Sequence, residues 1–314
     1  LVMAGAKLAG TKPQQSPSLS DDAAEFQRIV NEMWSSPNVL KGSIADAMAT
    51  INVKEDVVIK NAVAKILYRH RKTANQDIYW LNNRSENIED IEATFRVSGK
   101  VPELWFAETG KTEPLSYQIT NAVTKVKLHM EPNDALFVVF KNTAIKTTVE
   151  LPAVKIKELA TINGTWDISF QKDRGAPAAA KMDKLISLTD NADNGIKYFS
   201  GTATYTKTIT ALANWFTKDA ELWLNLGDVK NIAEVSVNGK PLGIVWKKPF
   251  RVNATGALKA GDNKLEIKVT NLWVNRLIGD AQPGVTNKIT FTTMPFYQAN
   301  SPLLPSGLLG PVQL

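Results

Sequence analysis

From about residue 60 to residue 271 the apolar residues recur at every second position, and this constrains the chain more than any other feature. Ile91, Ala93, Phe95 and Val97 share one face of the run Glu89–Val97, and Leu222, Leu224 and Leu226 share one face of another. Period two is the signature of strands with one buried face. Further strand-like runs lie at 64–71, 77–83, 104–106, 117–119, 124–130, 135–141 and 147–151. Beyond residue 160 they continue at 164–170, 201–209, 220–226, 233–237, 242–246, 250–253 and 264–271. The dipeptide Asn238-Gly239 between two such runs is the strongest short hairpin signal in the chain. Many short strands separated by turn residues predict β-sandwiches.

Residues 1–60 read differently. Ser20 or Asp21 can cap a helix whose Phe26, Ile29, Val30, Met33 and Trp34 recur at helical spacing, and a second helix follows Ser43 with Ile44, Ala47, Met48 and Ile51 on one face. One strand and two helices cannot cover both faces of a parallel sheet, so this segment is expected to need neighbours. The predicted fold class is therefore mainly β: two consecutive β-sandwich domains preceded by a short α/β remnant. The expected boundaries are 1–60 for the α/β segment, 61–155 for the first sandwich and 156–314 for the second.

Composition removes several classes of function. Cysteine is absent, which excludes disulfides, thiolate catalysis and cysteine-ligated metals. No apolar run approaches the roughly 20 residues that span a bilayer as a helix, so no membrane partner is expected. Lys and Arg number 37 against 31 Asp and Glu, and the densest basic cluster is Lys247, Lys248 and Arg251. That is too little for a nucleic-acid stripe, and no nucleic-acid partner is expected.

The last 160 residues resemble the galactose-binding-like jelly roll that accompanies many glycoside hydrolases. The matching stretches are Tyr198–Tyr205, Leu226–Val229, Val235–Lys240 and Gly261–Ile267. The stretches Trp246–Val252, Thr270–Asp280 and Ser301–Val312 resemble the C-terminal region of bacterial α-L-rhamnosidases of glycoside hydrolase family 106. Gly5–Gly10, Ser16–Leu19, Arg69–Thr73 and Asp77–Tyr79 match the same family in the same order. Val274 stands where the family pattern leads one to expect proline, which puts the conformation of that loop in question.

The resemblance implies a catalytic barrel, carrying two glutamates and a calcium-dependent site, that should precede Leu1. No residue here matches those glutamates, so no catalytic residue is assigned and the chain alone is expected to be inactive. The implied partners are that barrel and a rhamnose-containing plant glycan, and the implied location is periplasmic or extracellular, although Leu1–Ala6 is not a signal peptide. Residues 1–60 would be the last α/β piece attached to the barrel.

Sugar sites pair an apolar or aromatic surface with polar side chains. Trp246, Asn271, Trp273, Asn275, Arg276 and Asp280 are the candidates for carbohydrate binding or for a domain interface, centred on a loop at 273–280. His70, between Arg69 and Arg71, is a further interface candidate, whereas His129 reads as an ordinary strand residue. An independent glycosidase would need two flanking carboxylates, for which Glu103, Glu108, Asp167, Asp173, Glu221, Asp228 and Asp280 are available, each in turn or exposed-strand context. No cofactor is required. Asp190-Asn191-Ala192-Asp193-Asn194-Gly195 superficially resembles a calcium loop, with Asp190 and Asp193 as the ligands, although such residues also favour turns unaided. The competing readings are an accessory region of an α-L-rhamnosidase, a free-standing carbohydrate-binding module, and a complete enzyme with an unfamiliar carboxylate pair.

Overall fold

A computed structural model describes all residues from 1 to 314. The chain divides into two compact units: Leu1–Leu81 with Asp90–His129 and Leu136–Leu151, and Asn82–Glu89 with Met130–Ala135 and Pro152–Leu314. Strands dominate both, and no sheet closes into a barrel.

The first unit opens with a small α/β layer. Strands β1 (Leu8–Ala9) and β2 (Val39–Leu40) pair in parallel and are connected through helix α1 (Ala23–Trp34); helix α2 (Ile44–Thr50) follows. The Asp22 carboxylate caps α1 by accepting the Glu25 N–H, one residue beyond the predicted cap. Ser43 and Asp46 close a reciprocal capping box on α2. Of the apolar face of α1 only Val30 is buried, and Ile29 remains 42% exposed.

The period-two segment then forms two five-stranded sheets. One runs in the order β12 (Thr148–Val149), β9 (Tyr117–Thr120), β10 (Val123–Met130), β6 (Glu89–Phe95), β3 (Val57–Lys60). The other runs β4 (Leu67–Lys72), β5 (Asp77–Asn82), β11 (Ala135–Thr143), β7 (Lys100–Trp105), β8 (Thr112–Pro114). Alternation places Tyr79, Leu81, Ile91, Ala93, Phe95, Leu128, Val138 and Phe140 inside. Tyr79 meets Phe95 with ring centroids 4.7 Å apart, and Phe95 meets Phe140 at 5.4 Å, so aromatic contacts join the two sheets. Sandwich pairing begins at Val57 rather than after residue 60, because Val57–Lys60 lies antiparallel against β6.

In the second unit, β13 (Trp166–Phe170), β14 (Ala179–Met182), β15 (Thr202–Ala211), β18 (Ile232–Val237), β19 (Lys240–Val245) and β21 (Gly261–Thr270) build a six-stranded sheet in the order β14-β13-β15-β21-β18-β19. Two antiparallel pairs accompany it: β16 (Trp223–Asn225) with β20 (Arg251–Asn253), and β17 (Asp228–Lys230) with β22 (Gly307–Gly310). One apolar cluster unites Trp166, Tyr205 and Ile267 of the large sheet with Leu224, Val252 and Leu308 of the pairs. Asn238 and Gly239 both take positive φ, 54° and 77°, as the predicted two-residue hairpin turn demands.

The basic cluster of the sequence is paired within this unit. Lys247 Nζ lies 2.7 Å from Asp134 Oδ1, Lys248 Nζ 3.9 Å from Glu86 Oε2 and Arg251 Nη2 4.0 Å from Glu131 Oε1. The acids come from the segments Asn82–Glu89 and Met130–Ala135, which cluster with the second unit although they are distant from it in sequence.

Candidate functional site

The expected loop at 273–280 is a helix. Val274–Asp280 forms α4, with Trp273 at its N-cap and Val274 as its first helical residue. That first position is where proline is tolerated in a helix, so a family proline and this valine fit the same backbone. The doubt over that segment's conformation is removed.

The polar residues of α4 point inward and hold chain segments together. Asn275, Arg276 and Asp280 are all buried. Asn275 clamps the backbone of Leu304 at both ends of its amide, donating to the carbonyl at 2.8 Å and accepting the N–H at 2.9 Å. Asp280 Oδ2 accepts from Ile289 N at 3.0 Å, Thr290 N at 2.7 Å and Thr290 Oγ1 at 2.6 Å. Its Oδ1 lies 3.0 Å from Arg276 Nη2, an ion pair whose alignment falls short of a hydrogen bond, and Arg276 Nε is buried without a hydrogen-bond partner. Asn271 accepts the Gly201 N–H and donates to Phe199 O and Ser306 Oγ. Asp280 is thus the one carboxylate candidate that is buried.

The candidate tryptophans are the outward-facing members of the set. Trp246 is 60% exposed just after β19. Trp273 is 54% exposed, with the Arg174 guanidinium 5.1 Å from its ring centroid. Trp246, Trp273 and the buried α4 residues do not converge on one cavity.

Beside the start of α4 lies a cleft of about 200 Å³. Its rigid wall contains Asn271, Asn275 and Ser306, whose side chains are engaged as described. Four aliphatic residues, Leu272, Val274, Leu304 and Pro305, and the polar pair Lys230 and Asn231 complete the lining. Lys230 Nζ contacts Asp228 Oδ1 at 2.8 Å. The Asn231 side chain has no hydrogen-bond partner within the protein, while its backbone N–H donates to Thr270 O. Sequence reasoning singled out Asn271 and Asn275 here but missed Lys230, Asn231 and Leu304. The Leu303-Leu304-Pro305-Ser306-Gly307 stretch was the available signal, visible as a motif but not as a wall.

In the first unit, His70 is held between two carboxylates. Nδ1 is 2.8 Å from Asp56 Oδ2, Nε2 is 3.3 Å from Asp77 Oδ1, and the ring stacks on Tyr79 at 4.0 Å. Arg96 Nη2 reaches Asp56 Oδ1 at 3.2 Å, and Lys100 Nζ reaches Asp77 Oδ2 at 2.9 Å. Burial pushes the Asp77 carboxyl up, but Lys100, Lys72 and His70 outweigh it and hold the group below the usual carboxylate value. This network ties β4 and β5 to the residue just before β3, so His70 is built into the sandwich.

The Asp190–Gly195 segment is explained by capping. The Asp193 carboxylate accepts the N–H groups of Gly195 and Ile196 at the start of a short helix, α3 (Asn194–Lys197), and Asn191 Oδ1 accepts the N–H of Asp193. No group of three or more His, Asp or Glu side chains in the structure is arranged so that it could hold a metal ion. Other carboxylates expected in turns or on strands are engaged locally: Glu103 accepts from Trp105 Nε1 and Asn142 Nδ2, Glu221 from Trp223 Nε1, and Asp167 pairs with Lys181.

Comparison with known proteins supplies the framework. Residues 1–119 match the α-L-rhamnosidase family, glycoside hydrolase family 106. Residues 182–296 match the galactose-binding-like domain of family 2 glycosyl hydrolases. The solved structure of the rhamnosidase from Novosphingobium sp. PP1Y is 41% identical, covers 100% of this chain and superposes with a TM-score of 0.86. The similarity to that rhamnosidase extends along the whole chain, whereas the family 106 match is confined to residues 1–119. A curated protein of Formosa agariphila, named "Putative beta-glucuronidase", is 41% identical over 174 residues, which are 48% of this chain and 15% of that protein. The chain spans 31% of the solved rhamnosidase. It is a fragment-sized relative of glycoside hydrolases, with the family 106 match at its front and the galactose-binding-like match towards its end.

Proposed function

We propose that this chain is a non-catalytic β-sandwich region of an α-L-rhamnosidase acting on rhamnose-containing plant polysaccharide, and that it braces a catalytic barrel formed by other residues of the enzyme. Periplasmic or extracellular action follows from that reading. The observation that carries it is the α/β layer: two two-residue parallel strands and two helices leave Ile44 70% exposed and Met48 41% exposed on the apolar side of α2. A layer so incomplete gains stability by being covered with apolar surface. The polar residues that family resemblance brought forward are engaged in holding loops, which fits bracing better than turnover.

The test is hydrolysis of an aryl α-L-rhamnoside by the folded chain. No turnover is expected from the chain alone. Release of the aryl group, abolished by replacing one carboxylate of this chain, would place catalysis within these residues and overturn the proposal.

A further inference from the structure

We infer that the cleft beside α4 is a binding site for one terminal 6-deoxyhexose residue. The choice of sugar rests on the α-L-rhamnosidase reading; the cleft itself does not.

Size comes first. About 200 Å³ is the room of about seven waters at roughly 30 Å³ each, and lies below the roughly 300 Å³ at which sites for drug-sized ligands begin. One pyranose ring fits that space.

Charge and hydrogen bonding narrow the ligand further. The Lys230 ammonium has three donors, and Asp228 Oδ1 at 2.8 Å occupies one and balances the charge. A neutralised lysine favours a neutral polyol over a carboxylate or phosphate. The Asn231 amide, unpartnered within the protein, offers a donor and an acceptor together, which is what a pair of vicinal hydroxyls requires.

The apolar part of the lining is aliphatic. Leu272, Val274, Leu304 and Pro305 supply methyl and methylene surface without an aromatic ring. An aromatic platform would suit the flat C–H face of a hexose; an aliphatic pocket suits a projecting methyl group. A 6-deoxyhexose carries such a methyl at C5, with hydroxyls on the opposite edge. The wall is also preformed, because the side chains of Asn271 and Asn275 are already fixed by their hydrogen bonds to Gly201, Phe199 and Leu304. Little ordering would be needed on binding.

The experiment is calorimetric titration of the whole chain with methyl α-L-rhamnoside, L-mannose and D-glucuronate, alongside the shift of the Asn231 side-chain amide resonance. L-Mannose differs from L-rhamnose by a hydroxyl on that methyl carbon. Millimolar binding of the rhamnoside is expected, weaker for L-mannose by roughly an order of magnitude, with the Asn231 amide resonance moving at saturation. Asn231→Ala and Leu272→Asp should each weaken binding by roughly an order of magnitude with unchanged melting temperature, because both positions face the cleft from the surface.

Absence of binding by any of the three sugars would overturn the cleft assignment and leave the rhamnosidase reading intact. Rhamnoside binding that moves neither the Asn231 resonance nor responds to the variants would overturn the location. Glucuronate binding through these residues, with none of the rhamnoside, would overturn the ligand assignment and count against the rhamnosidase reading as well. The amide resonance needs no variant, so the proposal stays testable if Leu272→Asp misfolds.

Discussion

Helices α1 and α4 invert the usual rule in opposite directions. On α1 the apolar stripe predicted from its spacing is present, yet of its members only Val30 is buried. On α4 the side chains that would ordinarily face water, Asn275, Arg276 and Asp280, are inside. Uncovered apolar residues on α1 and α2 mark a layer that lacks neighbours. Buried charge on α4 marks a layer whose neighbours are present: Asp280 Oδ2 takes three hydrogen bonds from Ile289 and Thr290 and its Oδ1 faces the Arg276 guanidinium, although Arg276 Nε has no partner. The first helix depends on what could cover it; the second acts as the keystone of its own unit.

The largest effect is expected at the keystone. Asp280→Ala removes the three bonds to Ile289 and Thr290 and leaves Arg276 buried without its counter-charge. Breaking one side of such a pair costs about 3–5 kcal/mol, read as a lowered calorimetric melting transition of the second unit. Asp280→Asn keeps the shape and an acceptor, and should cost only about 1–3 kcal/mol. Equal losses from the two variants would show that the charge opposite Arg276, which both remove, makes α4 a keystone, and that the shape and acceptor kept by asparagine contribute little.

Truncation tests the other half of the comparison. Deleting residues 1–54 removes α1 and α2 but spares Asp56 and β3, and the sandwich should still melt cooperatively. Deleting residues 1–60 also takes the strand paired with β6, the buried Val57 and the carboxylate that meets both His70 and Arg96. The longer deletion should be the less stable by about 2–3 kcal/mol, from lost Val57 burial and an unpaired His70–Arg96 site. If both deletions unfold alike, the α/β layer is integral to the sandwich and the contrast between the helices fails.

How far these features were legible in the sequence follows from the same physics. The strands were legible because alternation on a half-buried sheet is visible residue by residue, as at Ile91, Ala93 and Phe95. The Asn238-Gly239 hairpin was legible because only a few residue types accept its two positive φ values. Helix α4 was read as a loop because its inward positions are polar, so the 3.6-residue stripe is missing from the hydrophobic pattern, and Trp273 at its N-cap makes no capping hydrogen bond. The cleft was beyond reach, since Lys230, Leu272 and Leu304 meet only through the pairing of β17 with β22 and the clamp from Asn275. Glu86, Glu131 and Asp134 escaped notice for the same reason: their partners lie more than a hundred residues away in the chain.

Acidification offers a finer probe of the first unit. The folded pKa of Asp77 is depressed, so the group contributes stability above its unfolded value of about 3.9, and that contribution is lost as pH falls through the folded value. The first unit should therefore lose stability progressively below about pH 4. In Asp77→Asn the loss over that window should be smaller, although the variant starts from lower stability because Lys100 and His70 lose a charged partner. An unchanged acid profile in the variant would assign the acid sensitivity to other carboxylates.

The smallest effect is expected in the α/β layer, on the helix that follows α1. Ile44 stands 70% exposed on α2, so Ile44→Lys removes almost no buried surface from the chain and should change stability by no more than about 0.5 kcal/mol. What it should change is self-association at high concentration, since a charge now interrupts the exposed apolar stripe formed with Met48 and Ile51. Sedimentation velocity at increasing concentration reads that directly. A stability loss of several kcal/mol would mean that Ile44 is covered in solution, and the layer would then be complete as it stands. A melting curve that does not move, with weaker association, would mean that the stripe is held ready for a surface other than its own chain fold, as the bracing role requires.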